Sequence, residues 1–185
     1  DVFRSSQPMK ELHFNSWGDL FLLSKNENIE IRSLQSDFRT IIDLELPIYS
    51  ACWAPNSDHL LYLSAKKNAT ETALYTYNLL TRSLQIVTYT GESIFFELET
   101  SPTGRFLAYQ FANASGKKGL GIINLNDPGT SMRLDSGGYD VQRFQWVGES
   151  SMIIWKTIEG SGELIETVFV PWSSGSDLTF QPLLT

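Results

Sequence analysis

Two histidines, one cysteine and a scatter of carboxylates are the groups in this 185-residue chain that could do chemistry. General acid–base catalysis requires the base to lie within hydrogen-bond reach of the group it deprotonates. His13 and His59 are the only imidazoles, and neither stands beside a convincing nucleophile. The Gly-x-Ser-x-Gly elbow that presents a nucleophilic serine is absent. Cys52 sits in the apolar run from Tyr49 to Trp53. With no second cysteine it forms no internal disulfide, and with two distant histidines it makes no zinc-binding spacing. Asn124-Leu-Asn126-Asp127 gathers oxygen ligands but lacks the acidic density and bidentate glutamate of a calcium loop, so an Asx or proline turn accounts for it. Glu97 and Glu99 are two apart in an apolar segment, which places both on one face of a strand. A glycosidase pair would need a defined separation, and a strand with solvent-facing glutamates explains the spacing without one. The sequence therefore leads us to expect no catalytic residue, no metal and no cofactor, and a chain that is not an enzyme.

Those residues must be positioned by a folded core. Hydrophobic residues make up 42% of the chain and aromatics 12%, enough to bury a substantial interior. The formal net charge of -7 argues against direct contact with nucleic acid, whose affinity rests on clustered Lys and Arg. No run approaches the 18 apolar residues of a membrane span. The chain begins at Asp1 rather than Met, which raises the expectation of processing or of excision from a longer protein carrying further domains. Two Asn-x-Ser/Thr triplets, Asn68-Ala-Thr70 and Asn113-Ala-Ser115, fall in equivalent polar loops and could carry glycans in a secreted eukaryotic protein.

Internal repetition supplies the architecture. Trp53-Ala-Pro-Asn-Ser-Asp-His-Leu-Leu-Tyr-Leu-Ser64 aligns without a gap on Thr100-Ser-Pro-Thr-Gly-Arg-Phe-Leu-Ala-Tyr-Gln-Phe111, setting Pro55 on Pro102 and Tyr62 on Tyr109. Trp146 to Thr157 continues the series with Trp146 on Trp53 and Trp155 on Tyr62, and a first copy starts at His13. Each copy goes on through a polar loop, a second apolar run, a tight turn and a third run. Period-2 alternation, β-branched and aromatic enrichment, and frequent Gly, Pro, Asn and Asp mark strands and turns, and no segment reads as a helix. Units of roughly 40 residues holding four short strands are the signature of propeller blades. The recurring aromatics Trp53, Tyr62, Tyr109, Trp146 and Trp155 are then expected to be packing residues between blades.

The expected fold is all-β: a single β-propeller domain over 1–185, of four four-stranded antiparallel blades near 10–44, 47–88, 94–134 and 141–184, whether a fragment, self-closed or half of a dimeric ring. At Trp53-Ala-Pro-Asn-Ser57 and Thr100-Ser-Pro-Thr-Gly104 the chain resembles the TolB-type propeller repeat, with its aromatic-Ser-Pro-Asp-Gly turn. It departs from that pattern in lacking the Asp-Gly pair and, in the first and fourth copies, the proline. The resemblance covers nearly the whole chain and bears on fold. It implies a binding or sensory module, such as the periplasmic propellers of membrane-anchored regulators of the CadC type. A gating propeller of a prolyl oligopeptidase-like enzyme is the alternative. A WD-type scaffold would carry Gly-His and Trp-Asp dipeptides, and neither occurs. The first strand of each copy should be innermost, and Tyr49, Glu97 and Arg143 lie there as candidate contacts for a protein partner or small ligand. A second copy of the chain is a further expected partner, because an incomplete ring leaves an apolar blade face uncovered. The expected location is periplasmic or otherwise extracytoplasmic, with the cytoplasm left open.

Overall fold

A computed structural model of the chain describes residues 11–25, 28–67, 71–90, 95–112, 116–129, 131–134, 139–158, 160, 162–170 and 179–182. The glycosylation triplets Asn68–Thr70 and Asn113–Ser115 lie outside these residues. Every described regular element is a strand, and each run of four strands forms one antiparallel sheet in chain order. The first blade comprises β1 (Glu11–Phe14), β2 (Leu20–Lys25), β3 (Asn28–Ser33) and β4 (Arg39–Ile42). The second comprises β5 (Ile48–Trp53), β6 (Leu60–Lys66), β7 (Thr72–Asn78) and β8 (Ser83–Thr90). The third holds β9 (Phe95–Thr100), β10 (Phe106–Ala112), β11 (Lys118–Asn124) and β12 (Ser131–Leu134). The fourth holds β13 (Tyr139–Gly148), β14 (Ser151–Ile158), β15 (Gly162–Phe169) and β16 (Thr179–Pro182). The chain divides into two compact units, Asp1–Gly91 and Glu92–Thr185, each containing two blades.

The turn from the first to the second strand is built three ways from one plan. In the third blade Ser101 is buried and its hydroxyl accepts the Phe106 amide at 3.0 Å, while Gly104, at φ +77°, closes the reversal onto the Ser101 carbonyl. Asn15 does the same in the first blade, its Oδ1 accepting the amides of Asp19 and Leu20 at 3.1 Å. Gly18, at φ +73°, stands where Gly104 does. An Asx side chain substitutes for the Ser-Pro pair because both offer the backbone a local acceptor. The second blade uses Ser57, whose hydroxyl accepts from His59 and Leu60.

This second turn is one residue longer than the third blade's, and that length corrects the repeat alignment. Trp53 pairs with Leu61 and Thr100 with Leu107, so Leu61 is the equivalent of Leu107, and Leu63 of Tyr109. Tyr62 is only partly buried, whereas Leu61, Leu63 and Tyr109 are fully buried. Trp155 likewise lies at the register of Ser64 and Gln110, not of Tyr62, and is partly exposed. The first copy is also shifted, since Phe14, not His13, ends β1 opposite Phe21.

Each blade has two unlike faces. We call the face bearing the side chain that ends the inner strand the leading face, and the opposite one the trailing face. In the first unit, Leu22, Ile29, Ile31 and Ile42 on the trailing face of the first blade form one core with Ala51, Trp53, Leu61, Leu63 and Tyr75 on the leading face of the second. In the second unit, Phe106, Ala108, Leu120 and Ile122 pack in the same way against Val141, Trp146, Met152, Ile154 and Val168. Both contacts carry the same polar lock. Trp53 Nε1 donates to the His13 carbonyl and Trp146 Nε1 to the Glu99 carbonyl, each at 3.2 Å, and each acceptor lies one residue before the end of the preceding inner strand. A buried indole is satisfied without giving up apolar area, which is why tryptophan suits this position.

Tyr109 also explains a glycine inside a strand. It faces Gly121 across β10 and β11, and its ring lies where a Cβ on Gly121 would stand. The aromatic covers the glycine and supplies the apolar area that the glycine lacks. Gly121→Ala is therefore expected to destabilise the chain by about 2 kcal/mol, through overpacking. In a Tyr109→Ala background the same change should lose most of that cost, as read by urea unfolding of the four chains of the cycle.

Candidate functional site

The inner strands of the last three blades share a defect. In β5 the register slips between Ile48 and Ser50, leaving Tyr49 without a Cα partner. In β9 it slips at Glu97, between Phe96 and Leu98, and in β13 at Gln142, between Val141 and Arg143. A bulge inserts one residue into a strand, bends it and re-aims a side chain, and bulges are common beside binding sites. Two of the three residues singled out from sequence, Tyr49 and Glu97, are bulge residues, and both are partly exposed. Glu97 is held at φ +42°, in the left-handed region that a side chain disfavours. The bulge also removes Glu97 from strand alternation while Glu99 keeps its partner Ala108, so the two glutamates do not stand as a same-face strand pair.

Arg143 lies next to a bulge, not in it. Its guanidinium carbon stacks 4.0 Å from the centroid of the Trp155 ring, which puts it on the trailing face of the fourth blade. The bulge residue itself, Gln142, carried no sequence signal. A bulge leaves backbone carbonyls without ladder partners, and in this unit a buried side chain satisfies them: Gln110 Nε2 donates to the carbonyls of Val141 at 3.2 Å and Gln142 at 3.0 Å. Asp140 completes the arrangement, accepting the Lys118 amide at 2.7 Å and the Gln142 side-chain amide at 3.1 Å. Nearby, Lys156 Nζ lies 2.6 Å from Glu166 Oε2 and 4.3 Å from the Tyr139 ring centroid, a largely buried ion pair. In the first unit Ser50 Oγ donates to the Glu11 carboxylate at 2.9 Å, and His13 Nε2 lies 3.7 Å from it. The Ser50 hydroxyl thus meets a carboxylate. His59 pairs with Asp58 at 2.7 Å at the surface, and that hydrogen bond is the main cause holding the Asp58 carboxyl below its usual range. Cys52 is buried in β5. Among the described residues no three His, Cys, Asp or Glu side chains are grouped to hold a metal. No helix is long and apolar enough to cross a membrane among them.

A second polar device joins the two blades of the second unit at their turns. Glu149, between β13 and β14, accepts the Ser101 hydroxyl at 3.0 Å and the Thr103 amide at 2.8 Å. In the first unit the Ser16 hydroxyl accepts the Asn56 amide at 2.9 Å.

No family model matches the chain, and no curated protein matches it in sequence. Solved structures do. TolB from Acinetobacter baumannii superposes with a TM-score of 0.69 at 14% identity, over 98% of this chain and 45% of TolB. A chain of the nidogen/laminin complex gives 0.68 at 13% identity, over 96% of this chain and 65% of its own length. The β-propeller domain of the trilobed protease from Pyrococcus furiosus gives 0.61 at 14%, over 98% and 59%. The fold is that of β-propeller blades. At such identities the likeness concerns fold alone, and the chain spans about half to two thirds of the length of these neighbours.

The Glu149 clamp makes a pH prediction. Burial alone would raise its pKa, but the donors of Thr103 and Ser101 and the charge of Arg105 outweigh burial, and the carboxyl titrates below its usual 4.5. A depressed folded-state pKa means stabilisation that is present above the unfolded value and lost as pH falls through the folded one. Glu149→Gln should thus cost about 1 kcal/mol at neutral pH, and the gap to the parent chain should shrink in acid. Urea unfolding of both chains across that range reads the difference.

Proposed function

We propose that the chain is a non-catalytic propeller module that binds a protein or small ligand through its inner strands, with Tyr49 and Glu97 among the contact residues. The observation that carries this reading is the bulge in the inner strands β5, β9 and β13, with Glu97 held at a left-handed φ of +42°. Strain that persists in a folded chain gathers at binding sites. Arg143, stacked on Trp155 beside the β13 bulge, is the third candidate contact. The likeness to TolB and to a chain of a protein–protein complex supports a binding role, and the likeness to TolB supports an extracytoplasmic setting. In the fuller form of the proposal the module is the outer, sensory part of a larger bacterial regulator, and a second copy of the chain is one of its partners.

A gating propeller of a serine peptidase is the second reading, favoured by the likeness to the propeller domain of the trilobed protease. The full-length reading frame separates the two. A downstream Gly-x-Ser-x-Gly segment indicates the peptidase, and an upstream basic helix-turn-helix with an apolar span indicates the regulator.

The contact residues are tested by photo-cross-linking in the native host from Tyr49 and Glu97, with Leu80, an exposed turn residue, as control. A discrete adduct from the first two positions alone is expected, and pull-down of the cross-linked partner by the unlabelled chain should weaken in Glu97→Gly. That substitution suits the positive φ, so folding should survive it, with an unfolding midpoint close to the parent's. Equal labelling from all three positions would contradict the proposed site. Turnover of peptide, ester or glycoside substrates by the purified chain would contradict a non-catalytic role.

A further inference from the structure

The outer strand of a blade has one edge whose backbone N–H and C=O groups no strand of the same sheet pairs, and folded chains ordinarily blunt such an edge with short length, charge, proline or a bulge. Strand order makes β4, β8, β12 and β16 the outer strands of the four blades. Three of them carry a charge or a proline. β4 holds Arg39, drawn onto Glu30; β12 holds Arg133, over the Phe111 ring; and β16 holds Pro182. Each of the three spans four residues among those described. β8 spans eight, Ser83–Thr90, with neither charge nor proline. Gln85 is exposed, and Ile86 and Tyr89 are 47% and 52% exposed. The one blunting device in β8 is a bulge: its register on β7 slips between Ile86 and Thr88, leaving Val87 without a Cα partner. A bulge bends the strand, so Ser83–Ile86, paired in unbroken register with Tyr75–Asn78, is the regular stretch of open edge.

We propose that Ser83–Ile86 is a docking edge that takes up an extended, acid-bearing peptide segment of another protein as a fifth strand of the second blade. An edge of alternating donors and acceptors is complemented by a second extended backbone, whose main-chain hydrogen bonds supply affinity while alternate side chains supply choice. Leu84 stands opposite Tyr77 and Ile86 opposite Tyr75, on the side of the blade that closes the first unit's core. Leu84 joins Leu44 and Leu46 as the partly buried rim of that core, and Ile86 continues the rim into solvent. Alternate apolar side chains of the docked strand extend it further. Charge selects the rest of the segment. From Thr72 to Thr90 the one charged residue is Arg82, exposed just before β8, so a carboxylate on the docked strand meets a cation there and no competing anion within that span. At the far end Lys67 is engaged already, its Nζ 3.7 Å from the Tyr89 ring centroid and 3.5 Å from Glu71 Oε2. The docking edge is separate from the inner-strand bulges and goes beyond the function proposed above.

Titration of the chain with a short capped peptide of alternating valine and threonine, ended by glutamates, tests it by NMR. Amide shifts and slowed hydrogen exchange should centre on Ser83–Ile86. N-methylating one alternate set of the peptide's amides should weaken binding about tenfold, the worth of one or two net hydrogen bonds, and methylating the other set should not. Ile86→Glu should weaken it to a similar degree with an unfolding midpoint close to the parent's, while Leu80→Ser, in the β7–β8 turn, should bind like the parent. A lysine-ended peptide should bind less well than the glutamate-ended one. Arg82→Gly, which suits the φ of +54° at that position, should erase the difference. No binding at millimolar peptide, amide shifts away from β8, or indifference to which amides are methylated would overturn the inference. So would a glutamate preference that survives Arg82→Gly, or exchange at Ser83–Ile86 that slows with chain concentration alone, which would put a second copy on the edge. Glu97→Gly should leave peptide binding unchanged, so failure here and failure of the inner-strand site are told apart.

Discussion

A four-stranded blade has two apolar faces and cannot hide either by itself, so each unit rests on the contact between one blade's trailing face and the next blade's leading face. The indole at the end of the inner strand fixes that contact. Trp53 and Trp146 lie flat in the apolar core, yet each ring nitrogen reaches a backbone carbonyl one residue before the end of the preceding inner strand. The bond is modest in energy, about 1 kcal/mol, but it is directional where hydrophobic contact is not. It therefore sets how far one blade can slide along its neighbour. The rest follows from that register: the Glu149 clamp at the turns and the reach of Gln110 to the bulge carbonyls both require strands that do not slip.

The bulges make sense against such a fixed frame. Among the described residues outside the inner strands, only the β7–β8 ladder shows a similar slip. An inner strand that bulges departs from the pairing it would otherwise complete, and the second unit compensates with a buried glutamine that serves two carbonyls at once. Glu97 keeps a left-handed backbone without glycine's freedom, a conformation costing about 1 kcal/mol or more. Strand pairing does not account for it, since Glu97 has no Cα partner in the β9–β10 ladder. Function, in contrast, belongs to sites grafted on a fold that hosts many activities, and a propeller in itself does not specify a ligand.

Much of the architecture was legible in the sequence because turn residues and strand alternation recur together. Four units of four strands could be read from Pro55, Pro102, Trp53 and Trp146 and the apolar runs behind them. Register was less legible. Leu60-Leu61-Tyr62-Leu63 is apolar at both parities, so alternation could not choose a face, and the extra turn residue near Ser57 shifted the alignment by one. That is why the sequence sets Tyr62 on Tyr109; Trp155 is displaced the other way, because the fourth blade's turn is one residue shorter than the third's. Of the candidate site, Tyr49 and Glu97 could be placed on inner strands from their position in the repeat, but bulges have no local signature in residues such as Tyr, Glu and Gln. Gln142 carries no signal for that reason, and the stacking of Arg143 on Trp155 was not legible either. Asn15 could have been recognised as the first blade's replacement for Ser-Pro, since Asx side chains close turns in the same way.

The most direct test of blade-on-blade locking is the hydrogen exchange of individual indole N–H groups, followed by NMR. Trp53 and Trp146 should exchange as slowly as the amides of the inner strands they end, because their ring protons are engaged by the His13 and Glu99 carbonyls, whereas Trp17, 60% exposed, should exchange at nearly the free rate. Indole protons of Trp53 and Trp146 that exchange as fast as that of Trp17 would contradict the account at its base.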